Sequence, residues 1–567
     1  MTGVEADRPG QPPLVGAPAT ARPRPRGAAG ARGPEGAGGT GDPGDRRNGR
    51  TRPSWADLAV PALPAVLGLI TGGYHAGVPP LWRDEAATKA IAGRSVGQIL
   101  ATMPHDDVVH GAYYLIVHVV IRHFGSSNGA LRLPSVLAMA VACAFTALIA
   151  RRLSRPAGPL AAAGTGLTAG LVFALLPATI RYAQEARSYA IVTMLATVAT
   201  YLLLRAADDG RPRWWAGYGA AVFLAGVFNI FSLTLLAAHA LTLLVIAGRR
   251  PGGGLRPGLG WTGPPLRWLA AAAAGTALTL PVVILAYRQR DALSWMSSSE
   301  PVRRDVIALT HLWAGSPGLV WLVFGLAALG AVASLIAGRR DLSPGTVALP
   351  WLVAPAAVLL AVSTTHPVYD QRYVEFCLPA LAICVASGIT WLARLAAARL
   401  GQGTALSRLA ALPAVVVAVA LAIALQPAES VVRQPGYRPD DLESESAIIA
   451  ANAKPGDIVF YLPVNDRIVS MPFPGPWRKL RDIALATSPV SSNTLYGTDV
   501  GPAELLKRFT HVTRVWVISS ADVTEAAFLA SPQATPLDHE EARLIAAMRK
   551  RRRWRDGDTE LTLYATR

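Results

Sequence analysis

Cysteine is almost missing from this chain: Cys143, Cys377 and Cys384 are the three among 567 residues, and all fall inside apolar runs. Cys377 and Cys384 sit seven residues apart on one predicted helix, about 10 Å by the helical rise, too far to bond to each other. A disulfide framework and a cysteine-type metal cluster are therefore excluded. Acid is scarce beside base, with 37 Asp and Glu against 54 Lys and Arg. That excess does not by itself mean nucleic acid, because Lys and Arg collect in the cytoplasmic loops of membrane proteins. Residues 1–54 lack aliphatic and aromatic side chains beyond Val4, Leu14 and Val15. Such a segment buries too little surface to offset its ordering entropy and is expected to be disordered. No apolar stretch follows its first residues, so it does not read as a signal peptide. Its nine Arg against five acids, ahead of the first apolar run, place it in the cytoplasm.

What the chain has is apolar length. It is 51% hydrophobic with mean hydropathy +0.33, and a soluble protein of this size would not carry so many long apolar runs, so the class is a polytopic membrane protein. Runs of about 17–25 residues give about eleven spans. They lie near 56–75, 132–150, 160–180, 188–205, two within 215–247, 267–287, 317–337, 347–364, 374–393 and 408–426. With the N-terminus inside, the even spans leave the membrane at Arg151-Arg152, Arg205, Arg249-Arg250, Arg339-Arg340 and Arg394, each the start of an Arg-rich loop. The opposite loops mix both signs and carry His, Tyr and acid. Residues 111–124 are too short for a span and hold His118, Arg122 and His123, so they are expected as an amphipathic helix on the outer surface. The membrane domain is thus 55–426, with a first outer loop at 76–131. Residues 427–567 have ordinary soluble composition and alternate helix with strand, a small extracytoplasmic α/β domain. Its expected elements include a helix at 442–453, strands at 458–462, 512–518 and 561–564, and a basic helix from Glu540 to Arg551. It lacks a Gly-x-Gly-x-x-Gly signature, so no nucleotide is assigned to it. No internal repeat is evident.

Four outer stretches carry possible chemistry. Leu81-Trp82-Arg83-Asp84-Glu85 follows the first span. A carboxylate at the membrane face, partly shielded from water, suits general-base work, and Asp84 is the favoured candidate. Glu85 reads either as a second catalytic acid or as the surface partner of Lys89 at i+4. His105-Asp106-Asp107 with His110 and Tyr113 comes next. The spacing matches no structural zinc pattern, and the residues suit hydrogen bonding to a sugar, orientation of the Asp84 loop, or a divalent metal. Arg181 to Tyr189 holds Gln184, Glu185 and Arg187; interfacial anchoring explains Arg181 and Tyr182 but not an acid beside two bases. His366, Tyr369, Arg372 and Tyr373 lie between spans nine and ten, where Arg and His at an outer face suit a phosphate. The loop 288–316 is the longest outer loop before the C-terminal domain and reads as a lid or an acceptor contact.

Taken in order, Trp82-Arg83-Asp84-Glu85, the helix Gly111–Gly125, Ala130-Leu131-Arg132-Leu133-Pro134-Ser135, Arg181–Tyr189 and Tyr369-Asp370-Gln371-Arg372-Tyr373 resemble the polytopic GT-C glycosyltransferases. The resemblance is to the bacterial family 39-like group related to protein O-mannosyltransferases and aminoarabinose transferases, and covers about 82–373. It implies a sugar donor on a polyprenyl phosphate and an inverting displacement at the anomeric carbon, with no covalent nucleophile. Asp84 then matches the family's base, and Glu185 stands where related enzymes carry a second acid. Arg187, Arg372, Lys89 and His366 become candidates for the donor phosphate. Asp107, His110, Tyr113, Gln184, Tyr369 and Tyr373 are candidates for substrate contact. The protein-mannosylating branch opens its surface helix with a Pro-Pro-Leu-type sequence; here it is Val109-His110-Gly111-Ala112, which counts against a protein acceptor. No cofactor is required by this scheme, and a divalent metal stays open. The competing class is a transporter or lipid-sugar flippase without chemistry, disfavoured because charges gather in the outer loops and not at span centres.

The topology is checked by alkaline phosphatase fusions. A fusion after Leu400 is expected to be inactive, and one after Ala565 active.

Overall fold

A computed structural model of the chain describes residues 55–247, 263–291, 296, 317–337, 342–399, 411–521 and 523–566. The tail 1–54 and most of the loop 288–316 lie outside these residues. Each apolar run falls on helix: α1 (Trp55–Gly73), then α2 (Arg83–Ala92), α3 (Val96–Thr102) and α4 (Gly111–Phe124) of the first loop, and α5 (Asn128–Leu153). The bundle continues with α6 (Pro159–Leu175), α7 (Pro177–Ala183), α8 (Tyr189–Asp209), α9 (Pro212–Phe228), α10 (Leu235–Ala247) and α11 (Pro264–Arg288). It ends with α12 (Pro317–Ala337), α13 (Pro344–Ser363), α14 (Leu378–Arg399) and α15 (Ala411–Val432). Six helices among the described residues are individually long and apolar enough to cross a membrane. The third run is a bent pair: α6 and α7 meet at 63°, where Pro177 has no N–H to continue the ladder. The helix α4 has fourteen residues and reaches about 21 Å, short of a roughly 30 Å hydrocarbon core.

Several hydroxyls inside these helices are met by their own backbone. Thr146 donates to the Ala142 carbonyl (2.7 Å) and Thr168 to that of Gly164 (2.9 Å), which satisfies each group within its own helix. Helix contact depends on small residues. A Cβ on Gly330 of α12 would lie 2.0 Å from the Cys384 carbonyl oxygen, and one on Gly388 of α14 would lie 2.2 Å from that of Leu326. The two backbones touch because neither carries a side chain there.

The C-terminal domain opens with α16 (Leu442–Asn452) and builds a five-stranded sheet in the order β2-β1-β5-β7-β6. Its strands are β1 (Ile458–Leu462), β2 (Arg481–Asp482), β5 (Arg514–Ser520), β6 (Arg549–Asp556) and β7 (Thr559–Ala565), with the pair β3 (Leu485–Thr487) and β4 (Thr498–Asp499) apart. β1 is parallel to β2 and β5, and β7 is antiparallel to β5 and β6. Side chains alternate across the sheet. Ile458, Phe460, Leu462, Val515 and Val517 form one core under the outer helices. Val459, Tyr461, Trp516, Ile518, Leu561 and Leu563 belong to the core that continues into the membrane domain.

One expected element is wrong. The helix beginning at Pro536 stops at Ala546, and Arg549–Asp556 is the edge strand β6, not the end of a basic helix. Arg-rich stretches have good helix propensity, but here Asp556-Gly557 turns the chain into a hairpin and β7 supplies the ladder. Gly557 takes φ +53, and a Cβ there would meet the Pro439 carbonyl at 2.0 Å.

Gly388→Val is expected to separate α12 from α14 at a cost of about 1–3 kcal/mol, seen as a lowered unfolding temperature in detergent. An unchanged midpoint would mean that the helices do not rely on this contact.

Candidate active site

The site is built on one arginine below it. Arg132, at the start of α5, is fully buried and uses all its donors. Its Nε and one terminal nitrogen meet the two Glu85 oxygens at 2.8 and 2.6 Å. The remaining donors reach the carbonyls of Ala76 and Pro79 (both 2.8 Å) and Pro80 (3.0 Å). The chain leaving α1 is thereby folded back into α2, whose first turn carries Asp84 and Glu85 where the helix dipole favours acid. From one face of α2, Glu85 accepts the Ala186 N–H (2.8 Å) and Thr88 donates to the Ala186 carbonyl (2.9 Å). Ser135 donates to the Glu185 carbonyl (2.7 Å) and accepts from the Tyr113 hydroxyl at 3.0 Å. Gln184 donates to the carbonyls of Gly72 (3.0 Å) and Tyr74 (2.7 Å). With its backbone so held, the loop between α7 and α8 presents Glu185 and Arg187 on either side of Ala186.

Asp84, the neighbour of Glu85, faces the other way. Its Oδ2 accepts from Arg372 at 2.6 Å and lies 3.8 Å from Nε of Arg187, and 26% of its side chain stays exposed. Arg187 also donates to Asp107 (3.2 Å) and to the Tyr114 hydroxyl (3.0 Å), and Tyr114 donates to Asp107. Arg372 is shared with Asp370 at 3.1 Å. Its guanidinium lies over Trp82, 5.6 Å from the ring centre, with Arg181 over the same ring at 5.8 Å. Arg181 in turn is paired with Glu185. Asp107 adopts a left-handed backbone (φ +52), a conformation Asp tolerates better than most residues and one often found at functional sites.

Burial penalises every charge here, and the partners decide the outcome. Burial pushes the Asp107 carboxyl up, but Arg187, His110 and the Tyr114 hydroxyl overcome it and hold it below the usual carboxylate range. For Glu185 burial wins: despite Arg181, its carboxyl is raised, with Glu85 and Asp84 adding to the rise. Burial opposes charge on Arg187 and Arg372 as well, yet Asp107 and Asp84 for the first, and Asp370, Tyr189 and Asp84 for the second, leave both more firmly protonated than usual. His110 goes to about 4, through burial and then Arg187, so it is a neutral ring against Ser188 (2.9 Å).

Several expected site residues stand elsewhere. Glu85 is not a surface partner of Lys89: it is fully buried against Arg132, because the face of α2 that carries it packs inward. Lys89 sits over the Phe473 ring at 4.6 Å, and burial lowers its pKa with Glu443 opposing. His366 is exposed, its ring 3.1 Å from the Thr365 hydroxyl. Tyr113 points at Ser135, and its neighbour Tyr114 is the tyrosine that reaches the arginine–carboxylate cluster. Gln184 is spent on backbone carbonyls. Tyr369 is buried, and Tyr373 stacks near Phe231 at 4.7 Å. Arg132, Tyr114, Asp370 and Arg83 were not singled out for a role from sequence. No group of three or more His, Cys, Asp or Glu among the described residues could hold a metal ion. Asp84, Asp107 and Asp370 each face a guanidinium, a charge-balanced set that does not fit a divalent cation.

Residues 112–262 match the family model described as dolichyl-phosphate-mannose-protein mannosyltransferase. The crystal structure of ArnT from Cupriavidus metallidurans in the apo state is similar over 89% of this chain and 97% of that one, at 13% identity and TM-score 0.54. The same protein bound to undecaprenyl phosphate gives 14% identity, the same coverage and TM-score 0.51. The Archaeoglobus fulgidus oligosaccharyltransferase tethered with an acceptor peptide covers 86% of this chain and 72% of its own, at 11% identity and TM-score 0.47. No curated protein matches the chain in sequence. This multi-pass membrane protein thus has the fold of the GT-C glycosyltransferases, and its residues 112–262 are similar to the mannosyltransferase family.

Arg132→Ala would leave the Glu85 carboxylate buried and unpaired, an expected cost of about 3–5 kcal/mol. Purification of the variant is expected to yield aggregated protein, whereas Asp84→Asn yields a normal monodisperse peak. Wild-type behaviour of Arg132→Ala in size-exclusion chromatography would contradict this assignment.

Proposed function

We propose that this protein transfers a sugar, read as mannose, from a polyprenyl-phosphate donor to an acceptor hydroxyl on the extracytoplasmic side, with inversion. The observation that carries the reading is the placement of Asp84 between Arg372 and Arg187. The two cations suit the phosphate of the donor, and the carboxylate suits the proton of the acceptor. Two unused donors support an anionic ligand: Arg187 Nε, and Nε1 of Trp82, whose ring lies under Arg372, are buried and make no hydrogen bond.

In the reaction the acceptor oxygen forms the new bond to the anomeric carbon as Asp84 takes its proton. The bond from that carbon to the phosphate oxygen breaks, and its electron pair leaves with the phosphate. Arg187 and Arg372 stabilise the charge that develops there, in a site shielded from bulk water. Donor binding also prepares the base. A phosphate that engages Arg372 competes with Asp84 for the guanidinium and frees the carboxylate to meet the acceptor hydroxyl. Glu185, with its raised pKa, lies behind this pair and keeps Arg181 beside Trp82. Lys89 and His366 have no part in this scheme. A flippase would need the phosphate contacts but gives Asp84 nothing to do.

The test uses membranes supplied with undecaprenyl-phosphate mannose labelled in the sugar. Asp84→Asn is expected to reduce transfer by about 10²-fold or more while undecaprenyl phosphate still binds. Arg187→Ala and Arg372→Ala are expected to lose that binding as well. Normal glycan production by Asp84→Asn would remove the base from the mechanism, and a parallel arm with an aminoarabinose donor reads the choice of sugar.

A further inference from the structure

The C-terminal domain touches the site in a pattern. Three of its contact points fall one residue from a carboxylate of the site. Beside Asp84, Arg83 turns away from the cleft: its backbone N–H and Nε donate to Asp440 (3.3 and 3.2 Å), and one terminal nitrogen meets Asp466. The other terminal nitrogen donates to Thr559 at the start of β7 (3.0 Å). Two residues before, the Leu81 carbonyl accepts the Leu442 N–H (3.3 Å). Beside Glu185, the Gln184 carbonyl accepts from Arg438 (2.6 Å). Beside Asp107, the Asp106 carboxylate accepts the Leu495 N–H (2.6 Å). Nearby, Arg94 donates to the Thr494 carbonyl (2.8 Å).

We infer that the C-terminal domain is a positioning element for the transfer site, and that Arg83 is the positioning residue through which it holds Asp84. The inference rests on the assignment of Asp84 as the base. The chemistry of the clamp is specific. Asp440 and Asp466 are almost wholly buried, 2% and 1% exposed, so removing their shared guanidinium would strand charge. A third acid, Glu445, adjoins them; burial and then Asp440 push its carboxyl up to about 9, so at neutral pH it is uncharged and Arg83 answers two carboxylates. Asp440 is itself fixed to the domain, because Thr559 donates to it at 3.3 Å and the Asp558 N–H bonds the Pro439 carbonyl at 2.9 Å. The clamp serves two ends. It fixes the start of α2, where a small shift would move Asp84 off the acceptor proton. It also keeps the Arg83 charge out of the cleft, where it would be a third cation at Asp84.

The experiment uses the full chain in detergent micelles. Asp466→Asn is nearly isosteric and weakens the clamp from the domain side; Arg83→Gln removes it from the loop side, and Arg83→Lys keeps the charge with a single donor group. Hydrogen exchange is expected to rise in peptides covering residues 81–92 for Asp466→Asn, with the spans unchanged. Mannose transfer is expected to fall about tenfold or more, since displacement of a reacting group by about an ångström has effects of that order. Affinity for undecaprenyl phosphate is expected to stay within about twofold, because the lost interaction is one of orientation and not of phosphate binding. The double variant Arg83→Gln/Asp466→Asn is expected to be no worse than the poorer single, and Arg83→Lys to fall between wild type and Arg83→Gln. Exchange changes confined to residues 440–566, with wild-type transfer in Asp466→Asn and Arg83→Lys, would overturn the inference. Should Asp84→Asn transfer normally while the Arg83 variants loosen residues 81–92, the base assignment fails and the clamp stands, because exchange needs no substrate.

Discussion

The whole candidate site depends on five N–H groups of one side chain. Arg132 is fully buried and spends all of them, two on Glu85 and three on the carbonyls of Ala76, Pro79 and Pro80. A lysine could not do this, because it has three donors on a flexible stem and no planar fork to match a carboxylate. The ion pair is not there for raw stability, since a buried pair rarely outperforms apolar packing. What it provides is register: the chain leaving the first helix has one way to satisfy those carbonyls. That path delivers Asp84 to the cleft.

Adjacent residues are repeatedly divided between structure and chemistry. In Arg83-Asp84-Glu85, the first residue serves the C-terminal domain, the second the cleft and the third the buried frame. In Asp106-Asp107, one acid is held by the sheet domain and the next by Arg187. In Tyr113-Tyr114, one hydroxyl braces Ser135 and the other joins the cluster. On a helix, neighbours point about 100° apart, so a short motif can reach three environments without a long loop. Carboxylates and guanidiniums alternate in space as a result, and each cation is balanced where the dielectric is low.

The same division explains what the sequence conveyed and what it withheld. Long apolar runs mark their helices without help from tertiary context, and every one of the eleven falls on helix. Asp84, Glu185, Arg187 and Arg372 were legible because charged residues at helix ends, in loops of mixed sign, have few structural reasons to be there. The Arg132–Glu85 pair was not legible, because its partners are 47 residues apart and nothing local links them. The i+4 spacing of Glu85 and Lys89 suggested a local pair, and a buried helix face overrode it. Choosing Tyr113 over Tyr114 required knowing which face of α4 meets the cleft. The hairpin at β6 did carry a signal, Asp556-Gly557, outweighed in a helical reading by the arginines before it.

The sheet of the C-terminal domain has two edges, and neither invites a partner strand. At one edge β2 is two residues long. At the other, β6 carries Arg549, Lys550, Arg551, Arg552, Arg553 and Arg555 in eight positions. A strand approaching either edge finds too few ladder groups or too much like charge. For a domain tethered to a bilayer this matters more than in solution. Molecules confined to a plane meet often and with their sheets at similar heights, conditions that favour edge-to-edge growth. The blunted edges let the protein crowd in two dimensions without zipping into its neighbours.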